Sequence, residues 1–274
     1  MANNAKVLDA LLVKVDRAYK HILHFQLAIT RFHVESCPSK IFPEDNLETG
    51  ERSYYLRILK EMPSEFPAFI GDILQNLRSA LDHLASHLVE TSPVTPKAKK
   101  VYFPIFESSA EYTAGKMGKI QGMTQAAINA IDAIEPYYRL DGVGIGKGTA
   151  LWWLQTMNNM DKHRLLIPAW ICPTGHSLTK SKKAEWETVL KSAFPNGVPD
   201  SLVMAANFGS GILQDGSKLC TLPISQVEDD MQFRLHIAFG EPAGVRGKEV
   251  LSTLLNMHRI VRQTIIGFDE KNLL

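Results

Sequence analysis

Residues 75–87, which read QNLRSALDHLASH, carry groups that can react with phosphates on a segment with helical spacing. Arg78 is followed after four residues by His83, with Ser79 and Asp82 between them. A guanidinium keeps its proton and offers a fork of donors to phosphate oxygens, whereas an imidazole with its ordinary pKa of about 6.5 exchanges protons at neutral pH. These residue types indicate chemistry at a phosphate group, provided that a second surface closes over them.

The element that carries these groups is a predicted amphipathic helix over residues 66–90. One side of its helical wheel holds Asn76 and His87 together with the groups above, and that side contains no lysine. Short polar side chains are poor helix formers, so this polar side is either a solvated surface or a binding site. Because Arg78 and His83 point well apart on one helix, a binding site needs a facing helix. The apolar residues recur at intervals of three and four on the opposite side, which predicts burial: Ile70, Ile73, Leu74, Leu77, Leu81, Leu84 and Leu88.

A second polar segment, NNMDKHR at residues 158–164, ends another predicted helix. Its basic or titratable residues are typical of a helix C-terminus, where the helix dipole favours cations: Lys162, His163 and Arg164. In a second interpretation, this helix end abuts the polar side of the 66–90 helix. Asp161 then orients His83 or His163, while Lys162 or Arg164 contacts a phosphate. The sequence leaves both interpretations open.

The run RSALDH, from Arg78 to His83, resembles the RNase motif of the HEPN superfamily. Many members of that superfamily are metal-independent endoribonucleases of toxin–antitoxin, abortive-infection and other antiphage systems. The family usually has Asn, Asp or His directly after the arginine, and this chain has Ser79 there. NLRSALDH together with the later DKHR also resembles a group of bacterial proteins, for which the resemblance supplies no activity.

The HEPN resemblance implies a helical bundle that cleaves RNA without a metal or a cofactor. His83 would act as general base or acid toward the ribose 2′-hydroxyl, and Arg78 would stabilise the charge on the phosphate oxygens. Asp82 and Ser79 would hold these two in place, and the product would be a 2′,3′-cyclic phosphate. Two helices facing across a homodimer would form the cleft, and a cognate antitoxin would be a further partner. The residues expected to bind the RNA are Asn76, Ser79, Asp161, Lys162, His163 and Arg164.

Two other functions remain open for the same residues. The chain is alternatively a non-catalytic module on a HEPN-like scaffold that binds a nucleotide or a protein in the polar cleft. It is alternatively a metal-dependent hydrolase, because His83 and His87 are four residues apart on one side of a helix and can chelate a transition metal. Asp161 or His163 would then supply further ligands.

Composition limits the classes of partner and the cellular compartment that we expect for this chain. The 274 residues carry a net charge of +1, so no global field attracts nucleic acid or a membrane. The three cysteines lie far apart without a CxxC pair, which favours a reducing compartment. We expect a cytoplasmic protein, because the N-terminus does not read as a signal peptide and no apolar run reaches the roughly 20 residues that span a bilayer. The glycine-rich run DGVGIGKG at 141–148 lacks the Ser or Thr that follows the lysine of a phosphate loop.

The surrounding pattern predicts an α+β fold rather than alternating strands and helices. Helices are expected over 5–32, 108–118, 123–135, 149–164, 181–194 and 247–267, in addition to 66–90. Strands are expected between residues 39 and 59, around a Glu-Thr-Gly turn, and through the segment from 201 to about 240. Together with the resemblance, this pattern indicates a single domain. Its HEPN-like helical core covers about 1–165 and 247–267, and a β-rich part covers about 166–246.

Overall fold

A computed structural model describes residues 2–139, 147–166, 168–171, 212–227 and 235–274. The chain divides into two compact units. The first comprises Met1–Ile29, Ser64–Ile167 and Val250–Leu274, and the second comprises Thr30–Pro63 and Pro168–Glu249. Within the described ranges, no helix combines the length and the apolar character that crossing a membrane requires.

Long and short helices build the first unit around a buried central helix, α2 (Glu65–Glu90). The others are α1 (Ala2–Ser36, which continues into the second unit), α3 (Ser109–Gly115), α4 (Met117–Ile120), α5 (Gln125–Asp132), α6 (Lys147–Asp161) and α7 (Val250–Glu270). Helix α2 packs against α6 and α7, which also contact each other. On α1, the Phe25 ring lies 5.2 Å from the Phe66 ring and 5.5 Å from the Phe69 ring, centroid to centroid.

The apolar side of α2 forms the centre of the helical unit, as its spacing predicts. Each side chain of this kind contributes about 1.5–3 kcal/mol when it is fully removed from water, so the orientation of α2 is strongly determined. Six of the seven predicted residues are fully buried and Leu88 is 3% exposed; the six are Ile70, Ile73, Leu74, Leu77, Leu81 and Leu84.

Antiparallel strands build the second unit. The hairpin of β1 (Ser39–Asn46) and β2 (Glu51–Ile58) pairs Ser39 with Ile58 and Asn46 with Glu51. Strand β4 (Lys218–Pro223) extends this sheet beside β2, and β3 (Pro168–Ile171) pairs with β5 (His236–Phe239) in a separate two-stranded sheet. Gly50 closes the hairpin turn with a φ of +69°, a conformation that glycine adopts without steric cost.

The α+β class is confirmed: of the residues that the structure describes, 54% lie in helices and 16% in antiparallel strands. The hairpin of β1 and β2 pairs with β4 and lies in the second unit. The helix expected over 108–118 divides at Lys116 into α3 and α4. The helix expected over 181–194, most of the strands expected over 201–240 and residues 141–146 of the glycine-rich run lie outside the described residues.

Candidate functional site

Helix α2 directs Arg78 into the protein, where its guanidinium is held by other parts of the chain. The residue is 6% exposed. Its Nε donates to Gln155 Oε1 on α6 at 2.5 Å, and its Nη2 donates to the carbonyl oxygen of Phe103 at 3.1 Å. Its Nη1 lies 2.7 Å from Asp82 Oδ1 and forms an ion pair one turn further along α2. Arg78 therefore joins α2 to α6 and to the segment that precedes α3.

Asp82 and Lys119 complete this group, which we call the Arg78 cluster (Arg78, Asp82, Phe103, Lys119 and Gln155). Asp82 Oδ1 also accepts the backbone N–H of Phe103 at 2.9 Å. Lys119 Nζ on α4 donates to the carbonyl of Ile105 at 3.2 Å and lies 3.9 Å from the centroid of the Phe106 ring. The cluster is thus built from four parts of the chain: α2, the segment before α3, α4 and α6.

Burial is the largest cause of the pKa shifts in the Arg78 cluster. It raises the pKa of Asp82, although the neighbouring Arg78 cation acts in the opposite direction. Burial also lowers the pKa of Lys119, and repulsion from Arg78 adds to this effect. The pKa of Arg78 is lowered by burial as well, yet a guanidinium stays protonated at neutral pH. The ion pair therefore offsets an unfavourable transfer of charge out of water.

His83 lies on a different part of α2 from Arg78. Five residues along a helix correspond to a rotation of about 140°, and His83 is exposed whereas Arg78 is buried. The Ser79 Oγ atom lies 3.5 Å from His83 Nε2. The structure thus brings Asp82 to Arg78 and Ser79 to His83, but it does not bring Arg78 and His83 together.

The end of α6 meets α2 near Gly71 rather than near His83. The Asp161 carboxylate packs so closely on Gly71 that a Cβ atom at that position would overlap it. Gly71 and position 83 are twelve residues apart, about 18 Å along the helix. Asp161 therefore does not orient His83. Burial raises the pKa of Asp161, and the nearby Asp72 carboxylate adds to this effect.

The three basic residues after Asp161 are exposed: Lys162, His163 and Arg164. Before it on α6, Asn158 is 1% exposed, and neither side-chain amide atom has a hydrogen-bond partner within the described ranges. Of the segment NNMDKHR, then, Asn158 and Asp161 are turned toward the protein and the basic residues toward solvent.

His83 and His87 are the two histidines that could chelate a metal ion. In the part of the chain that the structure describes, no third ligand lies beside them. No group of three or more His, Cys, Asp or Glu side chains is placed there to hold a metal ion. His87 instead lines a cavity of about 350 Å³ together with Thr91, Ser92 and Thr124. Neither Asp161 nor His163 joins His83 and His87 in such a group.

Asn76 lies in a groove that α1 and α2 form on one side of the helical unit. The groove has a volume of about 660 Å³. Its lining residues are Val13, Lys14, Asp16, Arg17, Lys20 and His21 from α1, and Asp72 and Asn76 from α2. A helix of the same chain thus faces part of the polar side of α2, where the sequence indicated a facing helix from a second copy.

Comparison with known proteins adds no relative, because no family model, curated protein or solved structure matches the chain. Sequence reasoning missed Gln155, Phe103 and Lys119, which no motif marks. It also missed the cations of α1, although their spacing of three residues was visible: Lys14, Arg17 and Lys20.

Proposed function

We propose that this chain is a non-catalytic RNA-binding protein on a HEPN-like scaffold and that it holds single-stranded RNA against the exposed polar side of α2. The observation that carries the proposal is the position of Arg78. A guanidinium that stabilises a reacting phosphate must present its donors to that phosphate. Here Nε and Nη2 donate to groups of the same chain, Nη1 is paired with Asp82, and the residue is buried. Arg78 is therefore better suited to stabilising the scaffold.

The accessible residues near Arg78 are of the types that bind single-stranded RNA. Unstacked bases are recognised by stacking on flat side chains, histidine included, and by hydrogen bonds to their edges. His83 is exposed, and Ser79 and Asn76 are half-buried. An imidazole flanked by a hydroxyl and an amide supports recognition of a base. The net charge of +1 agrees with contacts to bases rather than with strong nonspecific attraction to the backbone.

The replacement His83→Ala is expected to weaken binding of a single-stranded oligoribonucleotide about 10- to 100-fold. Loss of one stacked base costs about 1–3 kcal/mol, and each 1.4 kcal/mol is a factor of ten in affinity. Fluorescence anisotropy with a labelled RNA measures the change. His24→Ala, which removes another exposed histidine from α1, is the matched control. Equal affinities for the two variants would contradict the proposal.

A second candidate is the metal-independent endoribonuclease that the RSALDH resemblance implies. Two contacts favour it: Asp82 pairs with Arg78 at 2.7 Å, and Ser79 lies 3.5 Å from His83. In this reaction His83 takes the 2′-hydroxyl proton, the 2′-oxygen attacks phosphorus, and the bond from phosphorus to the 5′-oxygen breaks as that oxygen takes a proton from water. Arg78 would have to exchange its partners for the phosphate, and a second copy would have to supply the other wall. A toxin role and a cognate antitoxin belong to this candidate as predictions.

Incubation with structured RNA in the presence and absence of EDTA separates the two candidates. For a binding protein we expect no cleavage in either condition. Cleavage that survives EDTA and falls at least 100-fold in His83→Ala would establish the endoribonuclease, since general acid–base catalysis typically contributes about 10²–10⁴-fold. Cleavage that EDTA abolishes would instead indicate a metal-dependent hydrolase.

A further inference from the structure

The groove between α1 and α2 is a second candidate site, which shares only Asn76 with the surface around His83. Lys14 and Lys20 form no ion pair within the residues described, and Arg17 donates its Nε hydrogen to His21 Nε2 at 3.0 Å. Two carboxylates also line the groove, Asp16 on α1 and Asp72 on α2, and these too form no ion pair in the described ranges. Three cations against two anions leave an excess positive charge that an anionic ligand can neutralise.

The cations follow one another along α1 at a spacing that suits a chain of phosphates. Lys14 and Arg17 are three residues apart on one side of the helix, and the imidazole of His21 follows four residues later on the same side. At about 1.5 Å per residue they extend over about 10 Å. Lys20 lines the same groove from its edge. Several donors in a row over this length match two or three linked phosphate groups, which form short, charge-assisted hydrogen bonds with lysine and arginine.

The hydrogen bond between Arg17 and His21 prepares the guanidinium for such a ligand. Because His21 Nε2 accepts the Arg17 Nε hydrogen, the side chain of Arg17 is held along α1. Its terminal nitrogens Nη1 and Nη2 remain as a pair of donors, the geometry that binds two oxygens of one phosphate. His21 is thus a positioning residue.

The opposite wall of the groove carries hydrogen-bond acceptors. Asn76 donates its Nδ2 hydrogen to the carbonyl of Asp72 at 2.7 Å, which leaves its Oδ1 atom as an acceptor. The Asp72 carboxylate is exposed in the same wall. A carboxylate accepts hydrogen bonds from ribose hydroxyls in dinucleotide sites of other folds. Donors on α1 and acceptors on α2 therefore match a ligand with phosphates at one end and sugar hydroxyls at the other.

We propose that the α1–α2 groove binds a ribonucleotide, with Lys14 and Arg17 on its phosphates and with Asp72 and Asn76 on its ribose. The ligand is either a free nucleoside triphosphate or a stretch of an RNA strand, since both present anionic phosphate oxygens and a ribose 2′-hydroxyl. This site does not require RNA binding at His83. It uses a facing helix from the same chain and so does not require a second copy.

Isothermal titration of the 274-residue chain with ATP tests this site. We expect Lys14→Gln/Arg17→Gln to weaken ATP binding at least tenfold, since two charge-assisted contacts are lost. Lys99→Gln/Lys100→Gln is the matched control, because it removes two exposed positive charges from the same unit. No binding by the unchanged protein, or equal loss in both double variants, would overturn the proposal. A circular dichroism melt of each variant verifies that it is folded.

Two further titrations examine the sugar contact and the source of the phosphates. We expect ATP to bind at least fivefold more tightly than 2′,3′-dideoxyATP, and equal affinities would overturn the assignment of Asp72 and Asn76. A hexaadenylate with a 5′-hydroxyl end will displace ATP if the groove receives an RNA strand and will not if it receives free nucleotides. His83→Ala should retain ATP binding, so this groove and the RNA surface at His83 can fail independently.

Discussion

Arg78→Ala is expected to lower the free energy of unfolding by about 3 kcal/mol. Breaking a buried ion pair by removing one partner typically costs about 3–5 kcal/mol, because the other charge is left without compensation. The lower end applies here since the Asp82 side chain is 25% exposed. The variant also loses the hydrogen bonds to Gln155 and to the carbonyl of Phe103. Urea unfolding followed by circular dichroism measures the difference.

The cost of Arg78→Ala should depend on pH with a defined sign. Without the cation, the pKa of Asp82, already raised by burial, rises further. A carboxyl group whose pKa is raised by folding destabilises the protein as pH rises from its unfolded-state pKa to its folded-state pKa, and this cost is absent at lower pH, where the group is protonated in both states. The difference between variant and parent should therefore be largest at pH 7 and smaller at pH 4. A difference that does not change with pH would show that Asp82 is not the group left uncompensated.

Two companion variants separate charge from geometry at this position. Arg78→Lys keeps the positive charge but removes the planar fork, so it should recover only part of the lost stability. Asp82→Ala combined with Arg78→Ala should cost less than the two single changes added together, because the pair is directly coupled. Strict additivity would mean that the two side chains do not interact.

Gly148→Ala is the other change with a large expected effect, again about 3 kcal/mol of destabilisation. A Cβ atom at position 148 would overlap the carbonyl oxygen of Glu135 and would lie 2.9 Å from that of Tyr137. Both are backbone atoms, so the start of α6 would have to move away from the preceding segment. Overpacking of this kind costs about 1–3 kcal/mol, and a backbone obstacle places it at the upper end. Thermal unfolding of the variant measures the loss.

Gly267→Ala is the matched control for this glycine. It lies in α7, and a Cβ atom there would meet nothing within 4 Å. Alanine is favoured over glycine in a helix by about 1 kcal/mol, so this variant should be slightly more stable than the parent. If both replacements stabilise the protein, the close approach between Gly148 and Glu135 is absent in solution. The close approach to Glu135 also indicates that Gly148, in the DGVGIGKG run, serves packing rather than phosphate binding.

These two expectations determine how loss-of-function data on this chain should be interpreted. Arg78→Ala alters the contacts that join α2 to α6, so a loss of RNA binding or cleavage in that variant would also follow from unfolding. His83→Ala changes an exposed side chain and leaves the Arg78 cluster intact. The histidine variant is therefore the more direct test of function, and the arginine variant is the more direct test of the scaffold.

The sequence by itself determined the features that depend on local spacing. Intervals of three and four residues predicted α2 and the side of it that is buried, because a helix repeats every 3.6 residues. The Glu-Thr-Gly turn predicted the hairpin of β1 and β2, because glycine allows the positive φ that closes it. Residue types alone indicated that Arg78 and His83 are suited to phosphate chemistry.

Only the tertiary structure decided what covers each polar group of α2. Arg78 belongs to the polar side by its position on the helix, yet it is buried by Phe103 and Gln155, which lie 25 and 77 residues away in the chain. The groove likewise unites α1 with α2 across more than one intervening element. Local periodicity sets the direction of a side chain, but its solvent exposure and charge environment depend on distant segments that pack against it.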